Sequence, residues 1–400
     1  MQLKIYHGTK QLARNIVEIA TDTTKIIIDC GKDLPLLDEN FSENNIEIDG
    51  LTTGSSIYDG IFITNYHADH TGLIENINPD IPIYMSETMR NVLHVVSDFI
   101  DAPIPRITRK LKHGREIRVG DINILPIFVS YFDEEVVLLL VQAEGKKLLY
   151  TDRFSYVDEV YLPLIGKVDV MLCDGINIGV HGGITEEDIG YKAYRIMKET
   201  EGLVFVLSSI PDTKCIRQVD HACRRSKRVI AYDLFTRAIL NNIIRIRFTA
   251  KQMGFTANYP DEKKTRRIDR YLADGFQNFS EAEIIAEKTN LTILVRETMG
   301  EFLQRVDKLS RLENATLIYF MWRGYENTTP TKRFLDLCRS MGMRIEYLYT
   351  DDHAYREQLE AAVSQLLPDS LIPIHTESAD YFRELHNNVC LLDEGELLKF

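Results

Sequence analysis

Short runs of aliphatic and β-branched residues, separated by turns, make up the first half of the chain. Each run is 5–9 residues long, and Gly, Asp or Pro lies in or beside most of them, which is typical of strands. Six strands are predicted in this way: Lys25–Asp29, Tyr58–Thr64, Ile81–Met85, Ile122–Phe128, Glu135–Ala143 and Lys147–Thr151. Val136–Val141 is wholly apolar, which predicts a strand buried on both faces. Ser86–Ile100 is predicted to be a helix, with Ser86 as its cap.

Strands and helices alternate regularly after residue 202. Leu203–Leu207 and Arg228–Tyr232 are predicted strands, and a helix near Asp212–Ser226 lies between them. A β-α-β-α series of this kind predicts a parallel sheet with helices packed on it. Further β-α-β elements close the chain: Arg344–Tyr349, Tyr355–Leu367 and Leu371–His375. The pattern therefore predicts an α/β protein with a strand-rich first half, an inserted α/β unit and a short C-terminal return.

The composition is that of an ordinary globular protein. Of 400 residues, 44% are hydrophobic and 27% are charged, which excludes a collagen-like, low-complexity or mainly disordered chain. No run approaches the roughly 18 uninterrupted apolar residues of a membrane span, and the first ten residues lack a signal-peptide pattern. The six cysteines form no CxxC pair, which is typical of reduced thiols. We therefore expect a cytoplasmic protein without a membrane partner.

The basic residues are concentrated in one region, although the chain as a whole is acidic. The net charge is −13, but Lys214–Arg270 contains 15 Lys and Arg against 5 Asp and Glu. A basic face can steer an anion whatever the total charge, so this region favours an anionic partner. The alternative is that the two densest runs, Arg224–Arg228 and Lys263–Arg270, are solvated surface.

Two imidazoles and a carboxylate follow one predicted strand within four residues. The segment is Ile61–Ile74, IFITNYHADHTGLI, in which His67, Asp69 and His70 come just after the strand. Imidazole and carboxylate are the common ligands of Zn²⁺ and related divalent ions. The spacing therefore predicts a metal site at this strand end, and the alternative is a hydrogen-bond network without a metal.

This segment resembles motif II of the metallo-β-lactamase superfamily, His-x-His-x-Asp-His, and the preceding IIIDCG resembles its first motif, with Asp29 as the orienting acid. Three later stretches resemble the β-CASP nucleases, such as ribonuclease J. They are Phe320–Asn327, Tyr349–Leu359 and Ile372–Phe382. The resemblance covers nearly the whole chain. It implies an α/β fold: a metallo-β-lactamase αββα sandwich over 1–200 and 344–400, with an inserted β-CASP α/β domain over 201–343.

The chain departs from this family at several ligand positions. Asn65 stands where the first His of motif II is expected, and no His occurs between Gly114 and Val180, where the third motif falls. The fourth motif, normally Tyr-Thr-Gly-Asp-Phe, is Tyr-Thr-Asp-Arg-Phe here, with Asp152 and Arg153 at its centre. The resemblance therefore implies a degenerate metal site.

The losses fall unequally on the family's two metal positions. Of the ligands of the first metal only His67 is kept, whereas Asp69, His70 and His375 are all kept for the second. The resemblance therefore implies one divalent ion, Zn²⁺ or Mn²⁺, with Asp152 as a fourth ligand if it turns inward. If Arg153 turns inward instead, its fixed charge takes the place of the metal, and no cofactor is expected.

The resemblance also assigns catalytic and substrate-binding roles. Asp69 would hold or orient the attacking water, and His353 matches the β-CASP His that contacts the scissile phosphate, so it would protonate the leaving oxygen. Ser208 and Ser209 lie at a strand-to-helix junction that can bind phosphate, although capping alone explains them. Arg323 would contact a phosphate or pair with a carboxylate.

Three functions remain open on the sequence. The first is a weakened, mononuclear, metal-dependent phosphodiester hydrolase that resembles the β-CASP ribonucleases and acts on RNA or single-stranded DNA. The second is an inactive pseudo-enzyme that binds nucleic acid or a protein partner, which the altered motifs favour. The third is a hydrolase of a small anionic metabolite. Relatives often pair, so the resemblance also implies a homodimer.

Overall fold

The computed structural model describes most of the chain, in twelve stretches. They are residues 1–9, 14–32, 46–100, 108–131, 134–151, 159–180, 186–208, 212–243, 251–256, 268–272, 277–349 and 353–400. Asp152, Arg153, Ser209 and most of the second basic run lie outside the described residues. None of the helices in these stretches has the length and apolar character needed to cross a membrane.

The described residues form twenty strands. These are β1 (Gln2–His7), β2 (Ile16–Ala20), β3 (Lys25–Ile28), β4 (Gly60–Phe62), β5 (Ile83–Met85), β6 (Thr108–Lys110), β7 (Ile117–Val119), β8 (Ile122–Tyr131), β9 (Glu134–Ala143), β10 (Lys146–Thr151), β11 (Val170–Asp174), β12 (Val204–Leu207), β13 (Val229–Asp233), β14 (Gln252–Phe255), β15 (Asn278–Phe279), β16 (Leu291–Val295), β17 (Thr316–Tyr319), β18 (Arg344–Tyr347), β19 (Ser370–Ile374) and β20 (Leu397–Lys399). They are arranged in three sheets.

The principal α-helices cover these sheets. They are α1 (Ala68–Thr71), α2 (Glu87–Ile100), α3 (Leu162–Ile165), α4 (Glu186–Glu199), α5 (Thr213–Ser226), α6 (Leu234–Ile243), α7 (Glu281–Ala286), α8 (Gly300–Leu309), α9 (Thr329–Ser340) and α10 (Arg356–Leu366). Short 3₁₀ helices cover Ile74–Asn76, Glu159–Tyr161, Glu297–Met299, Arg323–Asn327 and Ala379–Glu384. The Ser86 cap of α2 is confirmed, because the backbone N–H of Met89 donates to Ser86 Oγ at 3.0 Å.

The first two sheets share a hydrophobic core. Their strand orders are β20-β1-β2-β3-β4-β5-β6 and β19-β11-β10-β9-β8-β7. Alternate residues of β9 belong to different cores, as the pleat of a strand requires. Val137 and Leu139 pack with residues of the first sheet, whereas Leu138 and Leu140 pack with residues of α10. The wholly apolar run is therefore buried on both faces, as predicted.

The third sheet is parallel throughout and is buried on both faces. Its order is β15-β14-β13-β16-β12-β17-β18. Phe205 and Ile293 pack in one core, and Val206 and Ile230 pack in another on the opposite face. Helices cover both faces because each parallel crossover passes over the sheet. The predicted α/β class is thus confirmed, with a third sheet in addition to the sandwich.

Two elements outside the predicted range 201–343 belong with the third sheet. Helix α4 packs against α5, with Ala193 and Met197 in the same core as Val206. Strand β18, which begins at Arg344, pairs with β17 over four residues. The division of the chain into domains stays a prediction, and these contacts favour an inserted unit that begins earlier and ends later.

One residue of the first basic run is internal. Arg228 is 5% exposed, and its guanidinium donates to the carbonyl oxygens of Met197, Thr200, Gly202 and Leu291. Burial lowers the pKa of this guanidinium. Its charge is placed at the C-terminal end of α4, where the helix dipole favours a cation. Arg228 is therefore structural and is not available to an anionic partner.

Replacement of Arg228 by Met is expected to lower the free energy of unfolding by at least about 3 kcal/mol, because several buried carbonyl oxygens lose their donor. Urea denaturation measures this effect. Arg225→Met is the matched control in the same run, since Arg225 is exposed and its guanidinium lies 4.7 Å from the centroid of the Tyr194 ring. Its replacement should change stability by less than about 1 kcal/mol. Equal effects of the two changes would contradict the structural role of Arg228.

Candidate metal centre

A buried carboxylate organises the loop that follows β3. Asp29 is fully buried and lies in the left-handed region, with φ of 60°. Its Oδ1 accepts the backbone N–H of Thr64 at 2.9 Å, and its Oδ2 accepts the hydroxyls of Thr64 at 2.6 Å and Tyr150 at 2.9 Å. Oδ2 is also 2.8 Å from Nδ1 of His70. The carboxylate of Asp29 accepts hydrogen bonds from Thr64 and Tyr150. It therefore acts as an acceptor toward His70 as well, and Nδ1 of His70 carries the proton of that contact.

This contact directs the other nitrogen of His70 toward Asp69. Nε2 of His70 lies 3.3 Å from Oδ2 of Asp69, and both residues are in the short helix α1. Backbone hydrogen bonds fix the helix, because Asn15 N donates to Asp69 O at 3.1 Å and Cys30 N donates to His70 O at 2.7 Å. The loops after β1 and β3 therefore hold α1 in place.

The C-terminal motif brings a second imidazole to the same carboxylate. His375 follows β19, is 1% exposed and has φ of 55°. Its backbone N–H donates to Gly8 O at 2.6 Å. Its Nε2 lies 3.8 Å from Oδ2 of Asp69, and its Nδ1 lies 3.4 Å from Oδ1 of Asp174. Left-handed backbone at both Asp29 and His375 is the kind of strain that concentrates at functional sites.

Two imidazole nitrogens lie near one carboxylate oxygen. The Nε2 atoms of His70 and His375 both face Oδ2 of Asp69, and a buried carboxylate stands behind each Nδ1. Metal-binding histidines commonly have such a carboxylate on the second ring nitrogen, since it fixes the tautomer and raises basicity. Two imidazoles and one carboxylate are a donor set of catalytic zinc sites. These residue types suit one divalent ion.

Asp174, at the end of β11, is a residue that the sequence analysis missed. Its Oδ2 lies 2.6 Å from Nδ1 of His353, and the rings of His353 and His375 are 5.1 Å apart. Burial alone would raise the pKa of Asp174, but the neighbouring His353 and His375 outweigh it, so the pKa is lowered. The sequence did contain a signal for Asp174: an acidic residue at the end of an apolar strand is buried at a cost unless it has a partner, which points to a functional role.

Asp174, His353 and His375 also offer ligand atoms that all lie within 4.8 Å of one another. A separation of 2.6 Å between Oδ2 of Asp174 and Nδ1 of His353 is that of a hydrogen bond, so Asp174 orients His353. These three residues are a second candidate set of ligands, and the metal role of Asp69, His70 and His375 stays a prediction.

The contacts of the remaining predicted ligands do not test their role in metal binding. His67 precedes α1, is partly exposed and stacks on Tyr66, with 5.0 Å between ring centroids. Asn65 is 1% exposed, and its Oδ1 accepts the backbone N–H of His67 at 3.0 Å. The ligand role of His67 stays a prediction, and that of Asp152 concerns a residue outside the described stretches.

The predicted substrate-binding residues lie in the third-sheet unit. Ser208 directly follows β12 and is 3% exposed, and Ser209 lies outside the described residues. Arg323 is exposed, with its guanidinium 5.7 Å from the centroid of the Tyr349 ring. Tyr349 precedes His353 by four residues, which span at most about 14 Å of extended chain. The roles of Arg323 and of both serines stay predictions.

Asp29→Asn is expected to weaken the binding of Zn²⁺ by about 10–100-fold, the usual effect of losing the partner of a metal-binding histidine. Either orientation of the new amide would set an N–H against the donors of Thr64 or of Tyr150 and His70. Competition with a chromophoric chelator measures the change. Asp59→Asn is the control, since Asp59 is exposed and its carboxylate accepts the backbone N–H of Lys25, away from the candidate centre. Unaltered affinity in the Asp29 variant would contradict the orienting role.

Comparison with known proteins agrees with this architecture. Residues 24–181 match the family model of the β-lactamase superfamily domain. This segment contains Asp29, Asp69, His70 and Asp174, and the match supports its place in the metallo-β-lactamase superfamily, whose members typically bind divalent metal ions. No match is found among curated proteins.

One solved structure shows the fold beyond this segment. A protein of unknown function from Enterococcus faecalis V583 is 17% identical, with a TM-score of 0.74 over 99% of both chains. Zn²⁺-bound PqqB from Methylobacterium extorquens is 16% identical, with a TM-score of 0.34 over 44% of this chain and 74% of that one. The metallo-β-lactamase fold protein YhfI from Bacillus subtilis is 8% identical, with a TM-score of 0.33 over 74% and 96%. The first of these shares the fold of the whole chain, third sheet included.

Proposed function

We propose that this protein is a metal-dependent phosphodiester hydrolase of the β-CASP type that uses one divalent ion, Zn²⁺ or Mn²⁺, and acts on RNA or single-stranded DNA. The observation that carries the proposal is the convergence of His70 Nε2 and His375 Nε2 on Oδ2 of Asp69. A hydrolytic site needs this set of ligands together with a nearby proton donor, and His353 is such a donor.

Each of the two histidine ligands is oriented by a carboxylate near its second ring nitrogen. Asp29 holds the Nδ1 proton of His70, and Asp174 lies 3.4 Å from Nδ1 of His375, so that each Nε2 is the nitrogen on the side of Asp69. A divalent ion, when bound, supplies polarisation of a phosphoryl oxygen and activation of water. Asp69, 9% exposed at its side chain, is the member of the trio that can also orient a water molecule.

His353 is placed to protonate the leaving oxygen. Its Nδ1 faces the buried carboxylate of Asp174, whose pKa is lowered by His353 and His375 despite burial. The carboxylate on Nδ1 orients the ring and leaves Nε2 as the atom that would exchange a proton with a substrate. The loop of His353 is fixed by Asn177, whose Nδ2 donates to His353 O at 3.3 Å. These contacts favour general-acid catalysis.

The choice of nucleic acid rests on charge and on the resemblance of the later motifs. Arg224, Arg225 and Lys227 are exposed at the end of α5, whereas Arg228 is internal. Arg323 is exposed and its guanidinium lies 5.7 Å from the centroid of the Tyr349 ring. Exposed cations in the third-sheet unit favour a polyanionic substrate, because phosphate contacts supply most of the non-specific affinity.

Cleavage of short labelled RNA and single-stranded DNA, with and without Mn²⁺ or Zn²⁺, tests the proposal. We expect cleavage that requires metal and that falls by about 10²–10⁴-fold in His353→Gln with unchanged metal content. His386→Gln is the control, since His386 is partly exposed and its ring nitrogen Nδ1 contacts the backbone of Asn388, two residues away. Metal-loaded protein that cleaves neither polymer would refute the proposal. Turnover of a small phosphodiester alone would favour the metabolite hydrolase.

A pseudo-enzyme that only binds its partner is the second candidate, and Asn65 is the observation that favours it. An amide replaces an imidazole at a buried position of the metal motif. Asn65→His distinguishes the two functions: it should raise cleavage in a weakened nuclease, whereas a binding protein should show tight RNA binding and no cleavage before or after the change.

A further inference from the structure

One side of helix α4 carries two tyrosines and a lysine at the surface of the third-sheet unit. Tyr191, Tyr194 and Lys198 are three and four positions apart, which places them on one side of the helix. Ala193 and Met197 occupy the opposite side and are buried in the core below it. Tyr194 packs at the edge of this core, whereas Lys198 is exposed and Tyr191 is 51% exposed.

Arg225, in the last turn of α5, joins this group of side chains. Its guanidinium lies 4.7 Å from the centroid of the Tyr194 ring and 5.8 Å from that of the Tyr191 ring. The two ring centroids are 6.2 Å apart, and Nζ of Lys198 lies 5.9 Å from the Tyr194 centroid. A cation within about 6 Å of a ring centroid is attracted to the ring. These four side chains, the α4–α5 patch, are therefore held together by cation–π contacts.

The charge around the α4–α5 patch is mainly positive, although the net charge of the chain is −13. Residues 191–201 and 221–228 contain two exposed acidic side chains, Glu199 and Glu201, and Glu199 pairs with Arg195 at 3.0 Å. The same residues contain six exposed basic side chains: Lys192, Arg195, Lys198, Arg224, Arg225 and Lys227. A surface of this kind complements a polyanion.

The α4–α5 patch lies apart from the candidate metal centre. The strands of the third sheet are all parallel, so they begin at one edge of the sheet and end at the other. Arg228 follows α5 and donates to the carbonyl oxygens of Gly202 and Leu291, which lie where β12 and β16 begin. Tyr349, four residues before His353, follows β18 at the opposite edge. A ligand on the patch is therefore held by residues other than those of the centre.

We propose that the α4–α5 patch is a docking surface for single-stranded nucleic acid, separate from the candidate metal centre. Basic surfaces that carry aromatic rings bind single strands, because every base has a π-face that can stack. Bases stack on the exposed ring of Tyr191 and on the guanidinium plane of Arg225, and Lys198 contacts a phosphate. The inference deepens the proposed function and rests on it for the kind of polymer.

The test is fluorescence anisotropy of a labelled single-stranded RNA of about 20 nucleotides, longer than the usual single-strand binding site. The full-length protein is titrated with a chelator present, and again with Zn²⁺ in the His353→Gln background, which slows cleavage. Tyr191→Ala should raise the Kd by about 5–100-fold, the effect of losing one base–aromatic stack. Tyr191→Phe should bind as the wild type does, because stacking does not need the hydroxyl. Both ratios should be the same with and without Zn²⁺.

Lys198→Met tests the electrostatic part of the surface. Each phosphate contact on a single strand contributes about 0.7 to the slope of log Kd against log salt concentration. The variant should therefore lower this slope by about 0.7, whereas Tyr191→Ala should leave it unchanged. Lys308→Met is the matched control, since Lys308 is an exposed lysine in the last turn of α8, on the opposite face of the third sheet. It should change neither the Kd nor the slope.

Wild-type affinity in Tyr191→Ala, an equal loss in Tyr191→Phe, or an unchanged slope in Lys198→Met would overturn the inference, whether or not RNA is cleaved. A labelled poly-glutamate peptide that binds through Tyr191 while RNA does not would indicate an acidic protein partner, which also overturns it. If RNA binding depends on Tyr191 but metal-loaded protein cleaves neither RNA nor single-stranded DNA, the docking surface stands and the proposed function fails.

Discussion

Asp69→Asn is expected to lower the affinity for Zn²⁺ by more than about 100-fold, since even the loss of an outer-shell partner costs 10–100-fold. Oδ2 of Asp69 is the one atom faced by both imidazoles, at 3.3 Å from His70 Nε2 and 3.8 Å from His375 Nε2. An amide at this position has no charge and offers only a weak carbonyl ligand. We expect metal-dependent cleavage to disappear together with the metal.

Chelator competition and metal analysis after desalting measure this loss. Asp80→Asn is the matched control, since Asp80 is exposed on the turn before β5 and should bind metal as the wild type does. Near-wild-type Zn²⁺ affinity in Asp69→Asn would mean that the two histidines do not share this carboxylate with an ion. The metal position would then have to be sought elsewhere.

Gly31→Ala is expected to disrupt the centre without any change to a ligand. A Cβ at Gly31 would lie 1.6 Å from the carbonyl oxygen of Asp69 and 3.0 Å from the backbone nitrogen of Asn15. Neither backbone can move away unless α1 shifts, so the methyl group must displace Asp69 and His70. We expect overpacking to lower the free energy of unfolding by about 1–3 kcal/mol. The Zn²⁺ affinity should fall by about 10–100-fold, as when ligand orientation is lost.

Gly179→Ala is the corresponding control. Gly179 is exposed, and a Cβ there would meet only the ring of Tyr381 at 3.8 Å, an ordinary contact. Urea denaturation and chelator competition on both variants separate a general effect of added volume from one specific to the centre. Unchanged metal affinity in Gly31→Ala would show that the position of α1 does not govern the site.

Local sequence was sufficient to predict the parts of the centre that lie in short motifs. Asp69 and His70 follow a buried strand within one segment, and Asp29 directly follows the neighbouring strand β3, which pairs with β4. Side chains at the carboxyl ends of adjacent parallel strands come close together for simple geometric reasons. The structure accordingly places Asp29, Asp69 and His70 in direct contact.

Long-range packing determined what the sequence analysis missed. Asp174 and His353 are 179 positions apart, and they meet where the loop after β11 contacts the segment before α10, through a bridge between Asn177 and Tyr355. Asn15 reaches Asp69 through a loop whose path no periodicity indicates. The number of basic residues in Arg224–Arg228 likewise does not tell which of them is buried. Arg228 is buried against backbone carbonyl oxygens, whereas its basic neighbours are exposed.

The central claim is that the chain binds one divalent ion through Asp69, His70 and His375. Native mass spectrometry of protein purified without chelator and then saturated with Zn²⁺ tests it most directly. We predict one tightly held ion per chain in the wild type and none in Asp69→Asn or His375→Ala. Zinc-free wild type, two ions per chain, or one ion that persists in both variants would contradict the claim.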